Sequence, residues 1–191
     1  MISHINNPLP MKALFLDRDG VTIDYIPYLS RPEQVSLPEG AGEALKIWQD
    51  EGYQLVIVTN QSGISRGYFS LEDVEEIHQR IVEEYRSFGV EFADILICPH
   101  QPSDNCQCRK PSPYLLLNYS EKENIDLSQS WFMGDAPSDI ECAINAGCQP
   151  VLLLTGRGKE TQEKLPNYKV SISIFENLSD TLDLVISKKR P

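Results

Sequence analysis

The feature that most constrains this chain is a repeated alternation. A short apolar run is followed by a polar turn and then by a stretch with helical spacing. Lys12–Asp17 is such a run and leads into Asp17-Arg18-Asp19-Gly20; Tyr53–Thr59 is rich in β-branched residues and leads into Thr59-Asn60-Gln61-Ser62-Gly63. Runs of this length bounded by turn formers read as buried strands. Between them Ala41, Ala44, Leu45, Ile47 and Trp48 fall at helical spacing within Glu39–Asp50, and Gly52 stops the helix. The pattern predicts helices over 70–88, 113–123 and 138–146, and strands over 93–98, 131–134 and 150–154. A last strand near 170–174 and a helix over 179–187 complete it. Strands alternating with helices give an α/β, Rossmann-like, doubly wound sheet, mostly parallel and covered on both faces.

At 191 residues the chain reads as one domain, 12–191, after an N-terminal tail, 1–11. No internal repeat interrupts it. The longest apolar stretches are about four residues, far short of the ~20 that span a bilayer, and no secretory signal is visible, so the expectation is a cytoplasmic protein with no membrane partner. Seventeen Lys and Arg against 28 Asp and Glu give a net charge of −11, which repels nucleic acid. An anionic ligand could bind such a chain only through a local cluster of cations, backbone N–H groups or a metal ion.

Ligands of open α/β sheets sit beyond the carboxyl ends of the strands, and the chemistry-bearing residues follow strands here. Asp17 and Asp19 follow the first, Thr59 and Asn60 the second, and Asp135 the fourth, in Gly134-Asp135-Ala136-Pro137-Ser138-Asp139. Asp17-Arg18-Asp19-Gly20 alone could be an Asx turn, and Asp139 alone a helix N-terminal acid. Gathered together, Asp17, Asp19 and Asp135 are hard oxygen ligands suited to Mg²⁺ and a substrate phosphate. Thr59 to Gly63, with Arg109 and Lys110 at the expected start of a helix, supply the anion-binding complement.

Cys98, His100, Cys106 and Cys108 place four soft ligands within eleven residues. A Cys₃His set suits a closed, structural Zn²⁺ site, which would fold a long polar loop and fix Arg109 and Lys110. Cys142 and Cys148 read as a core thiol and a thiol near the sheet.

The four pieces Asp17-x-Asp19-Gly20, Thr59-Asn60, Lys110-Pro111 and Gly134-Asp135-x-x-x-Asp139, in this order, resemble the haloacid dehalogenase superfamily of aspartate-nucleophile phosphohydrolases. The resemblance implies Asp17 as nucleophile, Asp19 as acid and base, and Thr59 and Lys110 as stabilisers of the transferring phosphoryl group. It further implies Mg²⁺ on Asp17, the Asp19 carbonyl and Asp135, with Asp139 in support. The zinc loop, with Gln61-Ser62-Gly63-Ile64-Ser65-Arg66-Gly67 and Cys108-Arg109-Lys110-Pro111, narrows it to the D-glycero-D-manno-heptose 1,7-bisphosphate phosphatase family, related to histidinol-phosphate phosphatases. That family implies a small phosphorylated sugar as substrate, a place in lipopolysaccharide biosynthesis, and recognition through Tyr28, Asn60, Gln61, Ser62, Arg66 and Arg109. The spacings leave no room for an inserted cap domain. Ile23 and Ala136 depart from the family pattern. Other readings are a histidinol-phosphate or polynucleotide 3′-phosphatase, a zinc-stabilised interaction module, and a regulatory nucleic-acid binder, the last lacking a basic patch. A monomer is expected.

Overall fold

The computed structural model describes residues 9–186. Six strands, β1 (Lys12–Leu16), β2 (Tyr53–Asn60), β3 (Phe92–Cys98), β4 (Trp131–Gly134), β5 (Gln149–Leu153) and β6 (Ser173–Phe175), form one sheet in the order β3-β2-β1-β4-β5-β6. All five pairings are parallel. The strand order reverses at β1, so the crevice between β1 and β4 is the place such a sheet offers a ligand.

Strand side chains alternate between faces, and both faces are buried. Leu14, Leu16, Leu55, Ile57 and Met133 pack on one side with Trp48 of α1 (Ala41–Asp50) and with Ile77, Ile81 and Tyr85 of α3 (Leu71–Arg86). Ala13, Phe15, Val56, Val58 and Phe132 pack on the other with Leu116 and Tyr119 of α4 (Tyr114–Glu123) and with Cys142, Ala143 and Ala146 of α5 (Pro137–Ala146). Cys142 is a core thiol, as expected, and Cys148 is buried in the same cluster. The segment from 17 to 40 holds only a 3₁₀ turn, Pro32–Gln34, and no cap domain is present among the described residues.

Several boundaries differ from the sequence expectation. Helix 70–88 begins after Ser70, whose Oγ accepts from Asp73 N at 3.1 Å while Ser70 N donates to Asp73 Oδ2 at 2.7 Å, and it ends at Arg86. Arg109 and Lys110 do not open a helix: Pro111 and Pro113 delay α4 to Tyr114. The last strand lies at 173–175. The expected terminal helix splits into a 3₁₀ turn, Ser179–Leu182, and α7 (Asp183–Ile186), with residue 187 outside the described residues. Two short helices went unread, α2 (Ser62–Ser65) and α6 (Gly158–Lys164). Of the expected tail, 1–8 lie outside the described residues, while Met11 belongs to the fold: its N donates to Asn124 O and its O accepts from Asp126 N.

Candidate active site

Asp17 emerges from β1 with its N–H donated to Met133 O of β4 at 2.9 Å, which fixes it at the β1–β4 seam. The chain then folds around the Arg18 carbonyl, which accepts from Thr22 N and Ile23 N, both at 3.0 Å. Ile23 is fully buried in the core, so this departure from the family pattern is a packing residue.

Lys110 is the electrostatic hub. Its buried Nζ donates to Asp17 Oδ1 at 2.8 Å and to Val58 O at 2.8 Å, and pairs with Asp139 Oδ1 at 2.7 Å. Burial alone would push its pKa down, but Asp139 and Asp17 together raise it above the ordinary lysine range, so the ammonium stays charged. Asn60 clasps the Lys110 backbone from both sides, donating Nδ2–H to its O at 3.2 Å and accepting its N–H at 3.1 Å. Asp139, in the first turn of α5, also accepts from Ala136 N through Oδ2 at 3.0 Å. It therefore caps a helix and completes the site. Burial, then Asp139, pushes the Asp17 pKa from 3.8 up to about 7 against the pull of Lys110.

Asp19 is held by three donors. Arg18 sends Nη2–H to Oδ1 at 2.9 Å and Nε–H to Oδ2 at 3.2 Å; Gln61 Nε2 donates to Oδ2 at 3.0 Å and to Thr59 Oγ1 at 2.8 Å. The Gln61 side chain is thus committed to Asp19 and Thr59. Arg18 is only 1% exposed, and its Nη1 lies 3.4 Å from His78 Nε2. Neither Arg18 nor His78 was marked by the sequence reading.

Asp135 is fully buried beneath Gly20 and Gly156, where an added Cβ would fall 2.6 Å and 2.2 Å from its Oδ2. That oxygen accepts from Arg157 N at 2.8 Å. Oδ1 accepts no hydrogen bond among the described residues, and Arg157 Nη2 stands 3.9 Å away. Burial pushes the Asp135 pKa up to about 6. One oxygen each of Asp17, Asp135 and Asp139 lie within 4.8 Å of one another, against one buried lysine. A buried carboxylate oxygen without a donor amid excess negative charge fits a hard divalent cation such as Mg²⁺.

The expected zinc ligands converge. Cys98 Sγ lies 3.2 Å from Cys108 Sγ and 3.6 Å from Cys106 Sγ, and His100 Nδ1 lies 3.3 Å from Cys108 Sγ. A tetrahedron with Zn–S bonds of about 2.3 Å has edges of about 3.8 Å, so these four atoms fit zinc with little adjustment. The loop they close is tied to the segment after β2: Gln61 N donates to Cys98 O at 2.7 Å, Ser65 N to Pro99 O at 3.2 Å, and Ser65 Oγ to Asp104 Oδ2 at 2.5 Å.

A cleft of about 540 Å³ opens over Asp17, Asp19, Thr59 and Lys110. Asn60, Gln61, Ser62, Arg66, Arg109 and Tyr28 all border it. Tyr28 stacks edge-on against Tyr68 with centroids 4.9 Å apart, and Arg109 Nη1 donates to His100 O at 3.0 Å. Arg157 also borders it, its guanidinium 5.5 Å from the Tyr25 ring centroid. Ala136 lines the wall without charge.

The HAD-hydrolase-like family model matches residues 107–181. A Pseudomonas aeruginosa protein named D-glycero-beta-D-manno-heptose-1,7-bisphosphate 7-phosphatase is 43% identical over 171 residues, 87% of this chain and 93% of that one. This chain belongs to the heptose-1,7-bisphosphate 7-phosphatase family. It is a haloacid-dehalogenase-type phosphatase. The family also includes a Photorhabdus laumondii relative named for the alpha anomer, 37% identical over 86% of this chain and 93% of its own. A crystal structure of the D,D-heptose 1,7-bisphosphate phosphatase from B. bronchiseptica, complexed with magnesium and phosphate, superposes with a TM-score of 0.87 at 29% identity, covering 93% of this chain and 99% of that one.

Proposed function

We propose that this phosphatase removes the 7-phosphate of a D-glycero-D-manno-heptose 1,7-bisphosphate through an aspartyl-phosphate on Asp17. The observation that carries the mechanism is the bonding of the Asp17 carboxylate. Lys110 Nζ and Arg18 N both donate to Oδ1, at 2.8 Å each, leaving Oδ2 for nucleophilic attack. In the first step Oδ2 bonds to phosphorus, the ester bond to the sugar oxygen breaks, and Asp19 gives that oxygen its proton. In the second, the Asp19 carboxylate takes a proton from water as the water oxygen bonds to phosphorus, releasing phosphate and restoring Asp17. Lys110 and the Thr59 hydroxyl, fixed by Asn60 and Gln61, stabilise the charge on the equatorial oxygens. Asp17, the Asp19 carbonyl and Asp135 would hold Mg²⁺, which when bound supplies further positive charge to the phosphoryl group.

Recognition rests on cations and aromatic rings around the cleft. Arg66, Arg109 and Arg157 provide charge for the substrate's phosphates, and Tyr28 a face for the sugar. With Ala136 uncharged, Arg157 is the cation that approaches Asp135 from the rim. Cys98, His100, Cys106 and Cys108 would hold a structural Zn²⁺, fixing the loop that carries Arg109 and Lys110. The reading extends to a monomer in the cytoplasm, checked by size-exclusion chromatography and cell fractionation; no helix among the described residues is long and apolar enough to cross a membrane.

The test is phosphate release, with and without Mg²⁺, from both anomers of heptose 1,7-bisphosphate, fructose 1,6-bisphosphate, histidinol phosphate and a 3′-phosphorylated oligonucleotide, with Asp17→Asn as blank. A heptose bisphosphate is expected to turn over fastest, the beta anomer ahead in line with the 43% identical relative. Faster hydrolysis of histidinol phosphate would overturn the substrate; turnover by Asp17→Asn would overturn the nucleophile.

A further inference from the structure

The buried face of α3 is apolar through Val74, Ile77 and Ile81, yet it carries two polar groups, His78 and Tyr85. Seven residues make about two helical turns, so both leave the helix in nearly the same direction. Both meet the turn that follows β1. Tyr85 donates its hydroxyl to Thr22 O at 2.7 Å, and His78 presents Nε2 to Arg18 Nη1 at 3.4 Å. An arginine only donates, so Nε2 carries the lone pair and the ring proton sits on Nδ1. Burial, reinforced by the guanidinium, pushes the His78 pKa down to about 3, which keeps the ring neutral and accepting.

His78 does not border the catalytic cleft. It opens on a separate groove of about 520 Å³ beside Ile95 and Ile97 of β3, so it has no route to substrate except through Arg18. Arg18 places Nε and Nη2 on the two oxygens of Asp19, and such a fork fixes a carboxylate in plane as well as in position. Without His78 the buried Nη1 would lack this acceptor, and the fork would be free to turn toward another.

We propose that His78 is a positioning residue for the acid–base step: by accepting from Arg18 Nη1 it locks the guanidinium that orients the Asp19 carboxylate. The proposal rests on the reading of Asp19 as acid and base. It separates His78 from a merely structural core histidine through the leaving group. An alkoxide needs the Asp19 proton to depart, whereas p-nitrophenolate departs without it.

The experiment is rapid-quench measurement of the phosphorylation of Asp17 in a single turnover, on whichever sugar phosphate of the phosphate-release panel turns over fastest and on p-nitrophenyl phosphate, at saturating Mg²⁺. His78→Leu is expected to slow the sugar phosphate about 10-fold and the aryl phosphate less than about 3-fold, with the substrate concentration for half-maximal rate unchanged. His78→Gln, whose amide oxygen can accept from Arg18, is expected to recover most of the rate. His78→Asn, too short to reach, should behave as His78→Leu does, so misfolding of the leucine variant leaves the test intact. Equal losses on both substrates, no loss, or a glutamine variant no better than the others would overturn the proposal. Asp19→Asn runs beside them and should lose at least about 100-fold on the sugar phosphate and far less on the aryl one. If Asp19→Asn shows no such contrast, the reading of Asp19 fails; if it does and the His78 variants do not, only the proposal fails.

Discussion

Replacing the nucleophile should stabilise the magnesium-free protein, by an amount that grows with pH. Asp17 is buried, and its pKa rises from 3.8 to about 7, chiefly through burial and then through Asp139, with Lys110 pulling the other way. An acid whose pKa is higher in the fold keeps its proton longer there than in the unfolded chain. Little is lost below about pH 3, where both states are protonated. Stability then falls as pH rises, and the loss is complete above about pH 7. A gap of about 3 pH units at about 1.4 kcal/mol each is on the order of 4 kcal/mol. Asp17→Asn removes this dependence while keeping the shape of the side chain. Urea unfolding in buffer dialysed free of Mg²⁺ should find the variant ahead by about 2 kcal/mol at pH 5 and about 4 kcal/mol at pH 8. The latter corresponds to roughly 8–16 °C in Tm. Saturating Mg²⁺ should shrink the gap, because a bound cation stabilises the ionised Asp17. A variant no more stable than the parent at pH 8, or a gap that does not change with pH, would refute the electrostatic account of the site.

Two further outcomes follow from the metal sites. Gly156→Ala would place a Cβ 2.2 Å from Asp135 Oδ2 at a backbone φ of +50°, so the Mg²⁺ concentration for half-maximal rate should rise at least about 10-fold, read by titrating the rate with MgCl₂. Elemental analysis should find one zinc per chain; Cys106→Ser should lose it, lower Tm by about 10 °C or more and cut turnover, because Lys110 follows Cys108 by two residues, and full turnover in a zinc-free variant would refute that coupling.

The sheet was legible because its strands are short, apolar and buried on both faces, and parallel topology then put Asp17, Thr59 and Asp135 at one edge. What escaped were contacts whose partners lie far away in sequence. Arg18, between two aspartates, looks like a solvated charge; it is buried, and one of its partners, His78, comes from 60 residues on. The apolar spacing of Val74, Ile77 and Ile81 predicts a buried helical face but does not say what the histidine beside it meets. Gln61 reads as a substrate contact and does border the cleft, but nothing local shows that its Nε2 is turned onto Asp19 and Thr59. Helix α2 has four residues, too few for any period to register. The helix expected over 113–123 is found at Tyr114–Glu123, and Pro111 and Pro113 separate Arg109 and Lys110 from it.

The hydrogen bonds from Gln61 and Ser65 to Cys98, Pro99 and Asp104 mean that the segment shaping the cleft wall and the cysteine knot are not independent parts. A chimera that imported a new 60–66 segment to change which sugar is accepted would keep the two backbone bonds, which any residue can make, but without a hydroxyl at 65 it would strip Asp104 Oδ2 of one of its two donors. It would also disturb the loop that delivers Lys110. Exchange of specificity between relatives therefore has to carry the hydroxyl at 65 and the carboxylate at 104 together, and variation at either position is restrained by the other.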